Sequence, residues 1–410
     1  MLTPADAALA ARDPELSALT LLLDPAALAA WLTQRSGLVG TVHAAYARYK
    51  PGTSCVLGFE LVTPHGVEQC VARAYTAESA PKLHKAVRGA PAGSLIADDV
   101  DHRLLVSTAL ADRHLPGIAV MADPSRRARF LSRASSDPDP ALRTLRYNPE
   151  RRWVAVARPA TGPSVVVRAV RRSQVGLVAD HYRTLQRVRT RTPRLLAAAP
   201  RRGLVAVEWV DGSTVDDHDG FHRMGTALAR LHADTAPRLH LGTRHDHGVA
   251  VRAAGRQLAY LLPDLDAEVM RFADLLSERM TRLAPVLCPA HGDFSADQVV
   301  VDRAGEVVLI DLDSARLADP AADLASATAA VVQSGVAAGD DLVAALYDGY
   351  ADAGRLPSRE RLAVYGAAHL MRRAGEGFRR RRPDWEEQAR RMFDRAEGTL
   401  AAARHGGVLR

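Results

Sequence analysis

The fold is decided by Pro289-Ala-His291-Gly292-Asp293-Phe-Ser-Ala-Asp297-Gln298-Val-Val-Val-Asp-Arg-Ala304-Gly305-Glu-Val-Val-Leu-Ile310-Asp311-Leu-Asp313. The stretch reads as a loop, a strand, a tight turn and a second strand. Val299–Val301 and Val307–Ile310 are β-branched apolar runs, and the polar segment Asp302–Glu306 between them contains Gly305. A turn at Ala304-Gly305 would set Val301 opposite Val308, Val299 opposite Ile310 and Gln298 opposite Asp311. Cross-strand partners hold their Cβ atoms about 5 Å apart, so this register predicts an amide oxygen and a carboxylate converging at the open end. Asp293, on the loop upstream, enters the same end. Two carboxylates and an amide oxygen around one point suit a hard cation such as Mg²⁺, with one acid left to take a proton.

Working outward, 410 residues leave room for two or three domains, and 47% hydrophobic with 25% charged residues is ordinary for a soluble globular chain. Cys55, Cys70 and Cys288 are odd in number and far apart, giving neither a disulfide framework nor a zinc spacing. A reducing, cytoplasmic setting is expected. The N-terminus shows no signal peptide, and no apolar run approaches the roughly 20 residues of a membrane helix, so no membrane partner is expected. The net charge of +7 comes from scattered arginines, densest at Arg379–Arg382, and 5% aromatics is too few for base-stacking platforms. Nucleic acid is therefore not expected as a partner, and a basic surface is the simpler reading.

In chain order, residues 1–40 read as helical, with Asp24-Pro25 starting a helix. Strands follow at Val42–Tyr49, Ser54–Val62 and Val67–Tyr75, with Pro64-His-Gly66 as a hairpin turn. Ala80–Val87 reads as helix and Arg103–Thr108 as strand. Near residue 141 the pattern restarts after a polar linker, 122–141. Arg48-Tyr49-Lys50-Pro51 is echoed by Arg146-Tyr147-Asn148-Pro149, and Cys70-Val-Ala-Arg73-Ala by Val165-Val-Val-Arg168-Ala. This spacing predicts an internal repeat of a small antiparallel sheet.

The loop and hairpin resemble the catalytic core of the kinase fold, whose H-R-D-x-x-x-x-N loop precedes a metal-binding Asp. The His291-Gly292-Asp293 version is similar to the aminoglycoside phosphotransferase and choline kinase-like superfamily. The resemblance implies Asp293 as the base for an attacking hydroxyl, and Gln298 and Asp311 as ligands of Mg²⁺ against the phosphates of ATP. Gln298 stands where Asn is usual, as in the related maltokinase and glucosamine kinase group; the same carbonyl sits on a stem one methylene longer.

The same resemblance places a phosphate-binding cation at Arg168 on a third strand, whose planar fork suits phosphate. The acid expected on the next helix is replaced by His181, with Asp180 beside it. The phosphate loop Tyr147–Trp153 has no glycine; Arg151 or Arg152 would stand in, or are solvated charges at a hairpin tip. Leu204–Glu208 and Trp209-Val210-Asp211-Gly212 resemble the hinge, which implies that backbone groups of Glu208 and Val210 bind the adenine edge. His232 reads as a packed or capping histidine, and His245-Asp246-His247 as a surface loop. Asp323, after Asp319-Pro, reads as structural. Four helices are expected over 323–405, where Tyr347, Tyr350, Tyr365, His369, Arg372 and Glu376 read as packing or as lining a substrate cleft.

The expected architecture is α+β: a two-lobed protein-kinase-like fold with a cap over 1–140 that repeats the N-lobe sheet, an N-lobe over 141–210, and a mostly helical C-lobe over 211–410. The implied activity is ATP- and Mg-dependent phosphoryl transfer to a free hydroxyl of a small-molecule acceptor, a sugar, amino sugar or aminoglycoside-type compound. The alternative is a pseudokinase acting as nucleotide sensor or scaffold.

Overall fold

The computed structural model describes residues 2–402 apart from 136, 138, 237 and 243, and the side chains of residues 244 and 245 are also outside the description. The chain divides into two compact units. One comprises Met1–Gly176, Leu196–Glu208 and Phe378–Trp385; the other comprises Leu177–Leu195, Trp209–Gly377 and Glu386–Arg410.

The first unit begins with helices α1 (Pro4–Ala11), α2 (Leu19–Leu23) and α3 (Pro25–Ser36). Asp24 caps α3 by accepting from the N–H groups of Ala26 and Ala27, and Pro25 occupies the first turn, where its missing donor costs nothing. A five-stranded antiparallel sheet follows, built from β1 (Thr41–Lys50), β2 (Ser54–Thr63), β3 (Gly66–Tyr75), β4 (Leu95–Asp99) and β5 (Leu104–Thr108), in the order β1-β2-β3-β5-β4. Helix α4 (Pro81–Arg88) lies between β3 and β4 in the chain. Thr63 pairs with Gly66, so Pro64-His65 forms the hairpin tip as expected. Cys55, Leu57, Phe59 and Leu61 are buried along β2 and anchor the sheet in the core.

Two short helices come next, α5 (Gly117–Ala122) and α6 (Pro124–Leu131). The stretch expected as a polar linker thus holds a capped helix: Asp123 accepts from Arg126 N–H, and Phe130 and Leu131 bury their side chains. A second five-stranded sheet contains β6 (Ala141–Asn148), β7 (Arg152–Arg158), β8 (Val165–Val170), β9 (Leu195–Ala199) and β10 (Leu204–Glu208), in the order β6-β7-β8-β10-β9. The two sheets share one strand order. Arg48, Val56 and Arg73 are neighbours across three strands of the first, and Arg146, Val154 and Arg168 across three strands of the second. The basic run near the C-terminus is not all surface. The Arg381 side chain is only 6% exposed, its Nη2 donating to Asp6 Oδ2 at 2.8 Å, while Trp385 Nε1 donates to Asp6 Oδ1 at 3.1 Å.

The second unit is mostly helical. It holds most of α7 (Val175–Leu185), then α8 (His218–His232), α9 (Arg244–Leu261), α10 (Asp266–Arg282), α11 (Pro320–Ser334), α12 (Gly339–Ala353) and α13 (Arg359–Ala374). A short α14 (Glu376–Arg379) precedes α15 (Trp385–Ala402). Residues 403–405, expected to be helical, lie outside the described residues. Small sheets carry the site: β11 (Gly212–Thr214) with β13 (Val299–Asp302) and β14 (Val307–Leu309), and β12 (Cys288–Ala290) with β15 (Arg316–Ala318). No described helix is long and apolar enough to cross a membrane.

Candidate active site

The hairpin register differs by one residue from the expected one. Val299 pairs with Leu309, Val300 with Val308 and Val301 with Val307, so Gln298 stands opposite Ile310 and not Asp311. The cause is Asp302. Its side chain accepts from the N–H groups of Ala304 at 2.9 Å and Glu306 at 2.8 Å, and its own N–H bonds Glu306 O at 2.9 Å. That arrangement makes a three-residue connection, with Gly305 at φ +81° in the left-handed position such loops require. The cross-strand pair drawn for the metal site is therefore absent. Asp311 instead leaves the strand at φ 61°, ψ 53°, a left-handed turn that is uncommon for a non-glycine residue.

What gathers the candidate residues is the backbone of Ile310. Its N–H donates to Gln298 O at 2.9 Å, and its carbonyl accepts from His291 Nε2 at 2.7 Å. Gln298, Asp311 and the loop bearing Asp293 thus meet within two residues of one backbone unit. Gln298 is buried, and its Nε2 donates to Asp297 Oδ2 at 3.4 Å, leaving the carbonyl Oε1 without a hydrogen bond among the described residues. No cluster of three or more His, Cys, Asp or Glu side chains with metal-holding geometry occurs among the described residues.

Asp293 is exposed, and its carboxylate has no hydrogen-bond or ion-pair partner among the described residues. Its neighbours are held firmly. His291 and Phe294 are fully buried with rings 5.6 Å apart. Asp323, on the first turn of α11, accepts from His291 N–H at 2.7 Å and Gly292 N–H at 2.8 Å, and pairs with His232 Nε2 at 3.2 Å. Arg316 Nη2 donates to Gly292 O at 3.1 Å. Gly292 sits at φ +84°, and a Cβ there would meet Ser314 O at 2.1 Å, so no other residue fits. Burial works to raise the pKa of Asp323, but the hydrogen bond and charge of His232, with the loop N–H groups, hold it below the ordinary carboxylate range. The reading of Asp323 as structural and of His232 as packed holds: His232 also bonds Tyr350 Oη at 2.9 Å. The helix cap itself is Asp319, paired with Arg361.

His181 does something the sequence did not suggest. Its Nδ1 donates to Leu312 O at 3.2 Å, one residue past Asp311, and its Nε2 meets His240 Nδ1 at 3.1 Å with the rings stacked. Donation through Nδ1 leaves Nε2 as an acceptor from His240, so the pair is satisfied only when His181 is neutral. Burial, then His240, push its pKa down to about 4. The His245-Asp246-His247 segment is not a surface loop: it starts α9, and His247 is buried edge-on against Tyr365. The side chain of His245 lies outside the described residues.

The residues expected on the nucleotide side lie on or just after the strands described above. Arg168 is buried on β8 between Val154 and Val205, Glu208 pairs with Val165 at the end of β10, and Val210 follows that strand. At the glycine-free hairpin, Glu150 takes ion pairs from Arg48 and Arg73. Burial works to raise its pKa, but these two guanidiniums hold it below the usual carboxylate range.

An antiparallel sheet with a helix after its third strand, and a helical unit that presents one acid on a buried loop beside a hairpin, together define a kinase-like α+β fold. The phosphotransferase enzyme family, APH, matches residues 145–365, more than half of the chain. The chain belongs to that family. Among solved structures, a macrolide 2'-phosphotransferase type I is similar at 21% identity and TM-score 0.45, over 70% of this chain and 96% of that one. A choline/ethanolamine kinase family protein from Mesorhizobium loti is similar at 17% identity and TM-score 0.47, over 71% and 98%. A microcompartment-associated aminopropanol kinase is similar at 16% and 0.47, over 69% and 97%. No curated protein matches the chain.

Proposed function

We propose that the chain transfers the γ-phosphoryl group of ATP, with Mg²⁺, to a hydroxyl of a small molecule, a sugar, amino sugar or aminoglycoside-type compound. The observation that carries this reading is the exposed, unpartnered Asp293 carboxylate on a loop anchored on both sides by buried groups. Asp293 orients the acceptor hydroxyl and takes its proton as the oxygen attacks phosphorus. Gln298 and Asp311 supply oxygen donors, the chemistry Mg²⁺ favours, and the Ile310 backbone keeps the segments that carry them together. Bound Mg²⁺ would neutralise phosphate charge. Arg168 pairs with the α- and β-phosphates, and backbone groups of Glu208 and Val210 take the adenine edge. His181 braces the metal loop through Leu312 instead of serving as a counter-ion. In this reading residues 1–140 are a cap that duplicates the sheet of the nucleotide lobe, 141–210, and 211–410 form the catalytic lobe; the common strand order supports it.

A second reading, a nucleotide sensor without turnover, draws on the glycine-free hairpin, whose Glu150 is committed to Arg48 and Arg73. The two are separated by measuring ATP consumption against sugars, amino sugars, aminoglycosides and choline-like alcohols. Acceptor-dependent ADP release supports the enzyme. Nucleotide binding with no release across the panel supports the sensor.

A further inference from the structure

The first unit contains a cavity of about 500 Å³ lined by six arginines: Arg113, Arg126, Arg129, Arg172, Arg201 and Arg202. They come from four places in the chain: the turn before α5, helix α6, the segment after β8, and the turn between β9 and β10. Arg126 has a loose ion pair with Asp123 at 3.6 Å. The side chains of the other five make no hydrogen bond or ion pair with any described residue. One acid, Asp112, is in the wall, and it is buried and already used. It accepts from Tyr147 Oη at 3.1 Å, Glu150 N–H at 2.6 Å and His114 N–H at 3.0 Å.

Five guanidiniums without an ion-pair partner around one cavity repel one another, and the single acid Asp112 in the wall does not balance them, whereas surface charges are usually interspersed in sign. A bound anion reverses that repulsion. Guanidinium forks match phosphate oxygens two at a time, and five of the six arginines are exposed, with Arg202 half-buried, so an anion can reach them from solvent. The volume is that of a small-ligand site. Gly117, between the lining residues Pro116 and Ala119, packs against Ala169, and the preceding residue of β8, Arg168, faces the other side of the sheet, so the cavity lies across the sheet from the proposed phosphate contact.

We propose that this cavity binds a small polyanion bearing two or more phosphate groups. The test is calorimetric titration of the full chain with inorganic pyrophosphate. Wild type should bind one equivalent saturably. R129E/R202E should weaken binding about a hundredfold, the loss of two charge-assisted contacts. R187E/R271E changes the net charge equally at two exposed arginines elsewhere and should leave affinity within about threefold. If R129E/R202E fails to fold, R113Q/R172Q takes its place, with the same expectation. Equal weakening by both pairs would mean a diffuse basic surface. Unchanged binding in R129E/R202E would mean another site. No saturable binding, or binding of a 20-base-pair DNA duplex without pyrophosphate binding, would also overturn the proposal.

Discussion

Asp323→Asn isolates what holds the acid-bearing loop. The carboxylate takes N–H groups from His291 at 2.7 Å and Gly292 at 2.8 Å and a third contact from His232 at 3.2 Å, all with Asp323 almost fully buried. Asparagine keeps the shape but presents an NH₂ to one of those donors, leaving a buried N–H unpaired and His232 without its partner charge. Hydrogen bonds to a charged group contribute about 1.5–3 kcal/mol each, and the substitution removes or weakens two of the three. A loss of about 3 kcal/mol is therefore expected. Urea denaturation gives the global figure, and amide hydrogen exchange gives the local one, with residues 291–294 exchanging about a hundredfold faster at that cost. A stability change under about 0.5 kcal/mol together with unchanged exchange in 291–294 would refute the reasoning, because the loop would then be held by something else.

Gly292→Ala should cost at least about 2 kcal/mol from the left-handed penalty and the overlap with Ser314 O, whereas Gly305→Ala, also at positive φ but with open space around it, should cost about 1 kcal/mol; thermal melts of the two variants showing equal losses would contradict this. His181 and His247 have pKa values pushed down to about 4, mainly by burial, so the unfolded chain binds protons that the folded one refuses. Their effect is absent above about pH 6.5 and removes about 1.4 kcal/mol of stability per pH unit per histidine as the pH falls toward 4. Urea midpoints at pH 7, 6 and 5 should fall accordingly, less steeply in His181→Asn; midpoints constant over that range would contradict it.

Much of this was legible in local chemistry. Alternation and turn residues located β1, β2 and β3 to within a residue or two, because Pro64-His-Gly66 and the β-branched runs act over short range. The family could be read from His291-Gly292-Asp293 and the hairpin that follows. The register could not: it depends on whether Asp302 turns its carboxylate onto the loop N–H groups, and a two-residue tip at Ala304-Gly305 satisfies the same pattern. Contacts distant in sequence were equally hidden. His181 reaches Leu312 across 131 positions, and Asp6 reaches Trp385 across 379. Neither pairing leaves a periodic signal. The helix within 122–141 was masked by its charged residues, although Asp123-Pro124 is the same cap signal that marked α3.

The central claim, that Asp293 is the base of an ATP-dependent phosphotransferase, is tested most directly by comparing wild type, Asp293→Asn and Asp311→Ala. Calorimetry with a Mg·ATP analogue gives nucleotide affinity, and ADP release with the acceptor found by screening gives turnover. Asp293→Asn should bind nucleotide as wild type does, while turnover falls by about 10²–10⁴, the contribution of a positioned general base. Asp311→Ala should weaken the Mg²⁺-dependent nucleotide binding itself. Turnover in Asp293→Asn equal to wild type would contradict the account.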